Sequence, residues 1–443
     1  NFTSNLAMVT MGANRPVWGP EGYMQYRQDW YKAPTYGLNT ATGNYEAYRT
    51  PLPATGNLNA PGFFDQPTDA NLTKYGITIE QWRAYTSATN GSDSDDDIWA
   101  KRLLMQGTAL TNFVEGRTFD WYDHTFRTGI NQDYNISASG ATENMNYYLS
   151  LGYLSNQGVA KGNDYKAIRS NLKLEAKITK WLDLSANINF QNRTDADLAV
   201  DWERQIIRNS PFASYKDENG NLLAHPMGDG MVNNFGYNYD FDRGYRDLDR
   251  GYTIINSILT AKVKLPFNIT YSFSGVPRYQ FFHDRYWESA SHPDWRGTNG
   301  LVNREQTQRF DWSLINTINW EQTFAKVHRV NVTLVQEAGE MQSWYDRVEA
   351  RNILPSDALG YHETYYGDKN RSSYDADDVM ETADGMLARL FYSYDDRYMF
   401  TASVRRDGYS AFGTSNPRAT FFSVAAAWTF INEKFFKCEP MTT

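Results

Sequence analysis

From Tyr134 onward the chain is built of paired segments whose side chains change sides at every residue, and this period of two limits the fold more than any other feature. In the first pair Tyr134, Ile136 and Ala138 point one way, and Asn135, Ser137 and Ser139 the other. After the turn-forming run Gly140 to Asn144, Met145, Tyr147, Leu149, Leu151 and Tyr153 alternate with Asn146, Tyr148, Ser150 and Gly152. Strand side chains alternate between faces, so this is an antiparallel hairpin with one apolar, aromatic-ended face and one hydroxyl and amide face. Such a hairpin belongs either in a soluble sheet over a core or in a membrane barrel whose apolar face meets lipid.

The unit recurs. Ile168, Leu172, Leu174, Ala176 and Ile178 alternate with Arg169, Asn171, Lys173, Glu175 and Lys177, and Leu182 to Gln191 repeats the pattern. Three further pairs follow: Tyr252 to Leu265 with Asn268 to Gly275, Phe310 to Trp320 with Val327 to Val335, and Leu390 to Tyr394 with Tyr398 to Val404. A last strand runs from about Thr420 to Phe430. The reading gives about twelve strands, each of about the ten residues that cross a bilayer at a tilt.

The connections alternate in length. Short ones (140–144, 179–181, 266–267, 321–326, 395–396) take turns with longer ones (12–131, 155–165, 192–251, 276–306, 340–385, 407–418). In an up-and-down sheet every second connection lies at the same end, so the short turns share one side and the long loops the other. Outer-membrane barrels have this arrangement, with short periplasmic turns and long extracellular loops. A soluble sandwich or propeller has no reason to keep the parity. Locally, Arg169, Lys173, Glu175 and Lys177 suit the solvent side of a soluble sheet equally well; their repetition together with the loop parity favours a water-filled lumen. The Gly140 to Asn144 turn is then periplasmic, the Tyr153 end lies at the outer rim, and Asn146 and Ser150 face the lumen.

Composition excludes several classes. No run of about 18 apolar residues exists, which excludes a transmembrane helix but not a barrel. Aromatics are 15% of residues, with 31 Tyr, a bias that suits interfacial girdles or carbohydrate-binding surfaces. The net charge of -9, without a Lys/Arg stripe, argues against nucleic acid as a partner. Cys438 is the one cysteine, so there is no intrachain disulfide framework and no thiolate metal cluster. The opening residues do not form a signal sequence, so any export signal is expected upstream or already removed. Within 12–130, read as a large, partly folded extracellular loop, residues 19–32 and 79–85 are expected to be short helices.

Chemical motifs are sparse. Asp93, Asp95 and Asp97 have the spacing that opens a calcium loop, but Ile98 and Leu104 stand where Gly and Glu are needed, so a solvated acidic tip is expected. Asp375, Asp377 and Asp378 read the same way, and no metal site or cofactor is expected. No nucleophile elbow, phosphate loop or dinucleotide turn occurs, and the chain reads as no enzyme. A dispersed carboxylate pair of the glycosidase kind stays open. Ligand contact is expected from loop aromatics beside polar groups: Trp202, Tyr237, Tyr239, Tyr286, Trp287, Trp295, Trp344 and Tyr365.

Two blocks resemble the SusC/RagA branch of the TonB-dependent transporters of Bacteroidetes outer membranes. The first holds Asp120-Trp121, Asp123, Phe126 to Gly129, Gln132, Tyr134-Asn135, Ser137 to Gly140, Tyr147-Tyr148 and Leu151 to Tyr153. The second holds Arg389-Leu390, Tyr392 to Tyr394, Asp396 to Tyr398, Thr401 to Ser403, Arg405 to Gly408 and Phe412-Gly413. Ala411 and Gly140-Ala141 depart from the family's Arg and Gly-Gly. The resemblance implies an all-β antiparallel transmembrane barrel of about 22 strands with a plugged lumen. It implies energised import of oligosaccharides or oligopeptides, with a SusD-like surface lipoprotein as partner and TonB acting through a plug and TonB box. The expectation is a partial barrel over 1–443: strand 1 at about 1–11, the large loop 12–130, strands and loops 131–430, and no plug or C-terminal barrel half. A soluble glycan-binding or glycan-cleaving β protein, and a passive barrel or adhesin, are the competing readings.

Overall fold

The computed structural model describes residues 1–12, 17–47, 61–84, 91–195, 198–228, 235–294, 299–353, 358–433 and 435. Its strands in chain order are β1 (Phe2–Val9), the short pair β2 (Tyr36–Asn39) and β3 (Asn44–Ala47), β4 (Gly129–Ala141), β5 (Met145–Gln157), β6 (Asp164–Lys177), β7 (Leu182–Thr194), β8 (Arg246–Leu265), β9 (Ile269–Gly275), β10 (Arg278–Glu288), β11 (Leu301–Phe324), β12 (His328–Arg351), β13 (Ser373–Tyr394), β14 (Tyr398–Tyr409) and β15 (Arg418–Trp428). All except β2 and β3 join one 13-stranded antiparallel sheet in which chain neighbours pair.

β9 and β10 both lie between β8 and β11 and continue one register across the join. Leu259 pairs Gly275 and Asn256 pairs Arg278 on one side, while Leu314 pairs Gly275 and Asp311 pairs Arg278 on the other. Pro277 has no N–H for the ladder, so it interrupts one rung without shifting the strand. Thirteen strands less this join give the twelve rows expected from the alternation.

Connection parity holds. The gaps after β4, β6, β8, β11 and β13 are 142–144, 178–181, 266–268, 325–327 and 395–397. Three of these turns place successive residues at positive φ: Phe267 and Asn268, Ala325 and Lys326, Asp395 and Asp396. That backbone twist closes a tight hairpin. At the opposite end lie 10–128, 158–163, 195–245, 289–300, 352–372 and 410–417.

Two long connections are shorter than expected because the strands outrun their alternation. The segment read as loop 276–306 carries β10 and the start of β11, and that read as 340–385 carries the ends of β12 and β13. Above the bilayer both faces meet water or loops, so the ladder persists while the apolar rhythm disappears. β11 and β12, at 24 residues each, are about 80 Å long, far more than a bilayer needs.

The apolar side chains of the wall sit outside. Ile136, Leu149, Leu151, Ile168, Leu172, Ile318, Leu334, Leu390 and Val424 are exposed and share the outward parity of the register. The packed core lies in the long-loop cap instead. The cap helices are α1 (Pro20–Lys32), α2 (Asp69–Tyr75), α3 (Ile79–Ala84), α4 (Asp95–Arg102), α5 (Gly107–Val114), α6 (Trp121–Thr125), α7 (Trp202–Ile207) and α8 (Tyr239–Arg243). Phe63, Trp82, Trp99, Leu103, Met105 and Phe212 are buried at its centre, so the first and third long connections share one core. The helical readings of 19–32 and 79–85 correspond to α1 and α3. No helix among the described residues is long and apolar enough to cross a membrane.

Candidate ligand-facing wall and cap

The inward face of the wall is a lattice of cross-strand polar contacts. Asn171 on β6 donates to Asn187 on β7 at 2.9 Å, and Asn319 on β11 donates to Thr333 on β12 at 3.0 Å. Two arginines reach across an intervening strand. Arg169 spans Gly152 to meet Asp133 at 2.6 Å, its guanidinium 3.5 Å from where a Cβ on Gly152 would stand. Arg405 meets Glu337 at 2.6 Å and Asp407 at 2.8 Å over Gly385, whose Cβ would come within 2.7 Å of the Asp407 carboxylate. In each case a glycine in the middle strand leaves the passage open. Such charges suit a wet lumen and are costly against lipid.

The cap meets the wall at Asp120 to Gly129. Asp120 caps α6 by accepting from the Asp123 N–H at 2.9 Å, and Trp121 is buried. Arg127 donates to both oxygens of Asp164 at 2.6 Å, fastening the entry to β4 onto the start of β6. His124 Nε2–H donates to Asp240 Oδ2 at 2.8 Å, and Tyr215 Oη–H donates to the same oxygen at 2.7 Å. The His124 hydrogen bond, reinforced by Tyr215 and opposed by burial, lowers the Asp240 carboxyl to about 2. Burial and the neighbouring carboxylate push the Tyr215 phenol well above its usual range. Phe119 stacks on Tyr215 at 5.2 Å and meets Trp121 edge-on at 4.8 Å, filling the joint.

The acidic run resolves into helix capping. Ser94 and Asp97 form a capping box at the start of α4, Asp95 pairs with Arg83 at 2.7 Å, and Asp93 pairs with Lys101 at 2.7 Å. Carboxylates in a first helical turn are favoured by the helix dipole. Asp375, Asp377 and Asp378, read as loop acids, lie instead in β13 opposite Arg347, Tyr345 and Trp344. No metal-holding group of side chains occurs among the described residues.

Known proteins match the fold and much of the sequence. The chain is 25% identical over 428 residues to TonB-dependent receptor P39 of Formosa agariphila, covering 94% of this chain and 38% of that receptor. It is 24% identical over 402 residues to TonB-dependent receptor SusC of Bacteroides thetaiotaomicron, covering 82% of this chain and 36% of SusC. The RagAB peptide importer in its open-open state superposes with a TM-score of 0.71 at 16% identity, over 98% of this chain and 44% of that one. The chain is similar in sequence to TonB-dependent receptors, SusC among them, and in fold to the RagAB importer. It spans well under half the length of these relatives. No family model matches it.

The cap lies on the long-loop side of the sheet. The aromatics expected to touch ligand do not converge there. Tyr237 and Tyr239 are buried with Val200 in a small core of the third long connection, Tyr239 donating to the Leu198 carbonyl. Tyr286 has inward parity and donates to Glu288 at 2.6 Å, while Trp287 is buried beside it. Trp344 shares the outward parity of Leu334 and stands above the bilayer band, away from the lumen. Trp202 opens α7 at 51% exposed and Tyr365 is 77% exposed. Trp295 lies outside the described residues. Sequence reasoning missed a polar cleft beneath α1, because its walls come from four helices and no local period announces it.

Proposed function

We propose that this chain is wall and cap of an energised importer that carries oligosaccharides across the outer membrane, with oligopeptides as the other candidate cargo. The observation that carries this reading is the sidedness of the sheet: an apolar outward face, a hydrogen-bonded polar inward face, and all the folded loops at one end. A SusD-like lipoprotein would close over the cap, and TonB would act through a plug supplied by other parts of the protein. Supporting the glycan reading is the similarity to SusC; supporting the peptide reading is the likeness to RagAB. Among the described residues β1 and β15 have no strand on their outer edges, which supports a division in which 1–443 is part of a larger barrel, because an open sheet edge is not tolerated in lipid. Of the loop aromatics, we assign Trp202 and Tyr365 to ligand contact, on their exposure.

The test is uptake of fluorescent oligosaccharides and oligopeptides by cells carrying the transporter, with TonB present or deleted. TonB-dependent accumulation of one cargo class is expected. Uptake indifferent to TonB would leave a passive pore, and a detergent-free soluble monomer would overturn the membrane reading altogether.

A further inference from the structure

Within the run Arg405 to Gly408, Arg405 and Asp407 are engaged on the inward face, and Gly408 lets Arg418 pass to Asp384. Arg406 has the opposite parity. It pairs with Met386 on the outward face, is exposed, and has no hydrogen-bond or ion-pair partner among the described residues. The outward row towards the long loops is charged, with Arg418 donating to Asp384 at 2.9 Å. The two rows towards the short turns are apolar from β11 to β15: Ile318 across to Phe422, and Trp320 across to Val424. Arg406 therefore stands at the long-loop border of the apolar band.

A groove runs down the wall from it. Two outward hollows, of about 440 and 380 Å³, share Ala388 and Val404 in their linings and so join. Arg406 and Gln336 line the first, and Leu390, Ala402 and Val424 the second. Ala388 pairs with Leu334 and Val404, and Ala402 with Leu390 and Val424, so each leaves a gap between larger side chains. Gln336 lies in the same row as Arg406, on the other side of Met386. Tyr271 Oη–H donates to Asn316 Oδ1 at 2.7 Å, and Asn316 Nδ2–H donates to Gln336 Oε1 at 2.6 Å. The Gln336 amide hydrogens meet no acceptor among the described residues. A free guanidinium and a free amide donor are costly against hydrocarbon, and a ligand that supplies an anion and an acceptor removes that cost.

Resting on the membrane placement in the import reading above, we infer that this groove binds a phosphorylated glycolipid of the outer leaflet, of the lipid A class. Its phosphate meets Arg406, an acyl ester carbonyl meets Gln336, and an acyl chain lies over Ala388 and Ala402. A guanidinium suits phosphate because it offers paired N–H donors in one plane. The long-loop border is the outer one in a barrel of this sidedness, which selects the outer-leaflet lipid.

The test is native mass spectrometry of the detergent-purified, delipidated transporter titrated with hexa-acyl lipid A, its dephosphorylated form and phosphatidylglycerol. Lipid A should bind tightest. Arg406→Gln should weaken it roughly tenfold, the loss of a charge-assisted hydrogen bond, and should leave the dephosphorylated form unchanged. Ala388→Leu, which fills the groove, should weaken both forms. Lys173→Gln on the inward face should alter neither, and all three variants should melt as the wild type does. Lipid A binding untouched by Arg406→Gln and Ala388→Leu would overturn the inference, and TonB-dependent uptake would leave import standing. Phosphatidylglycerol binding as tightly, with the same response to the variants, would overturn the glycolipid assignment. A dimer that excludes every lipid and dissociates on Arg406→Gln would put a second copy of the chain there instead. A detergent-free soluble monomer would overturn the membrane placement itself.

Discussion

Asp240→Asn tests whether one carboxylate locks the cap to the loops above the wall. Asp240 Oδ2 accepts from His124 at 2.8 Å and from Tyr215 at 2.7 Å. Its carboxyl titrates at about 2 in place of the ordinary 3.8, and 23% of the side chain is exposed. A fall of that size is worth about 2 kcal/mol in favour of the charged form, taken as an upper value because solvent screens part of it. Folding lowers this pKa, so the stabilisation is complete above the ordinary carboxyl range and disappears as pH falls towards about 2. The assay is urea unfolding in detergent followed by tryptophan fluorescence, since Trp82, Trp99 and Trp121 are all buried in the cap. At neutral pH the variant should unfold about 1 M earlier. In strong acid its midpoint should converge on that of the wild type. A wild-type midpoint at neutral pH, or a gap undiminished in acid, would refute the argument.

Leu149→Arg, on the outward face, should cost about 2–4 kcal/mol in lipid at mid-bilayer depth, whereas Asn146→Arg on the lumen face should cost little; folding titrations into liposomes measure both. Gly385→Ala should displace the Asp407 carboxylate and loosen Arg405 from Glu337, at about 1 kcal/mol because these side chains are partly exposed. Adding Glu337→Gln to that variant should then cost almost nothing further, which a double-mutant cycle on the same titration reads directly. Gly162→Ala should be more damaging: Gly162 has φ +74 and a Cβ there would overlap the Leu198 carbonyl and the Tyr239 hydroxyl. It should destabilise the 158–163 joint by about 2 kcal/mol or more and open 195–245 to protease, scored by the rate of nicking.

The wall was legible in the sequence wherever one face of a strand meets lipid and the other meets water. Met145 to Tyr153 is the clearest case, since each outward residue there is apolar and each inward one is polar or small. Where β11 and β12 climb past Phe310 and Glu340 into solvent, the two faces become alike and the pattern vanishes, although the hydrogen-bond ladder runs on to Leu301 and Arg351. The cap was harder to read for another reason. Its core unites Met24, Trp82 and Trp99 with Phe212 and Met227, residues from two connections separated by four wall strands, and no local period encodes a contact of that range. The same holds for Glu21, Lys74 and Asp96, which become neighbours only after four helices have packed.

The residues that carry the resemblance have mechanical roles in the fold. Asp120, Trp121 and Arg127 cap, fill and fasten the joint between cap and wall. Arg405, Asp407 and Gly408 belong to bridges that need a glycine in the strand between: Arg405 passes Gly385 to reach Glu337, and Arg418 passes Gly408 to reach Asp384. Each such role demands one side chain at one place, whatever is transported.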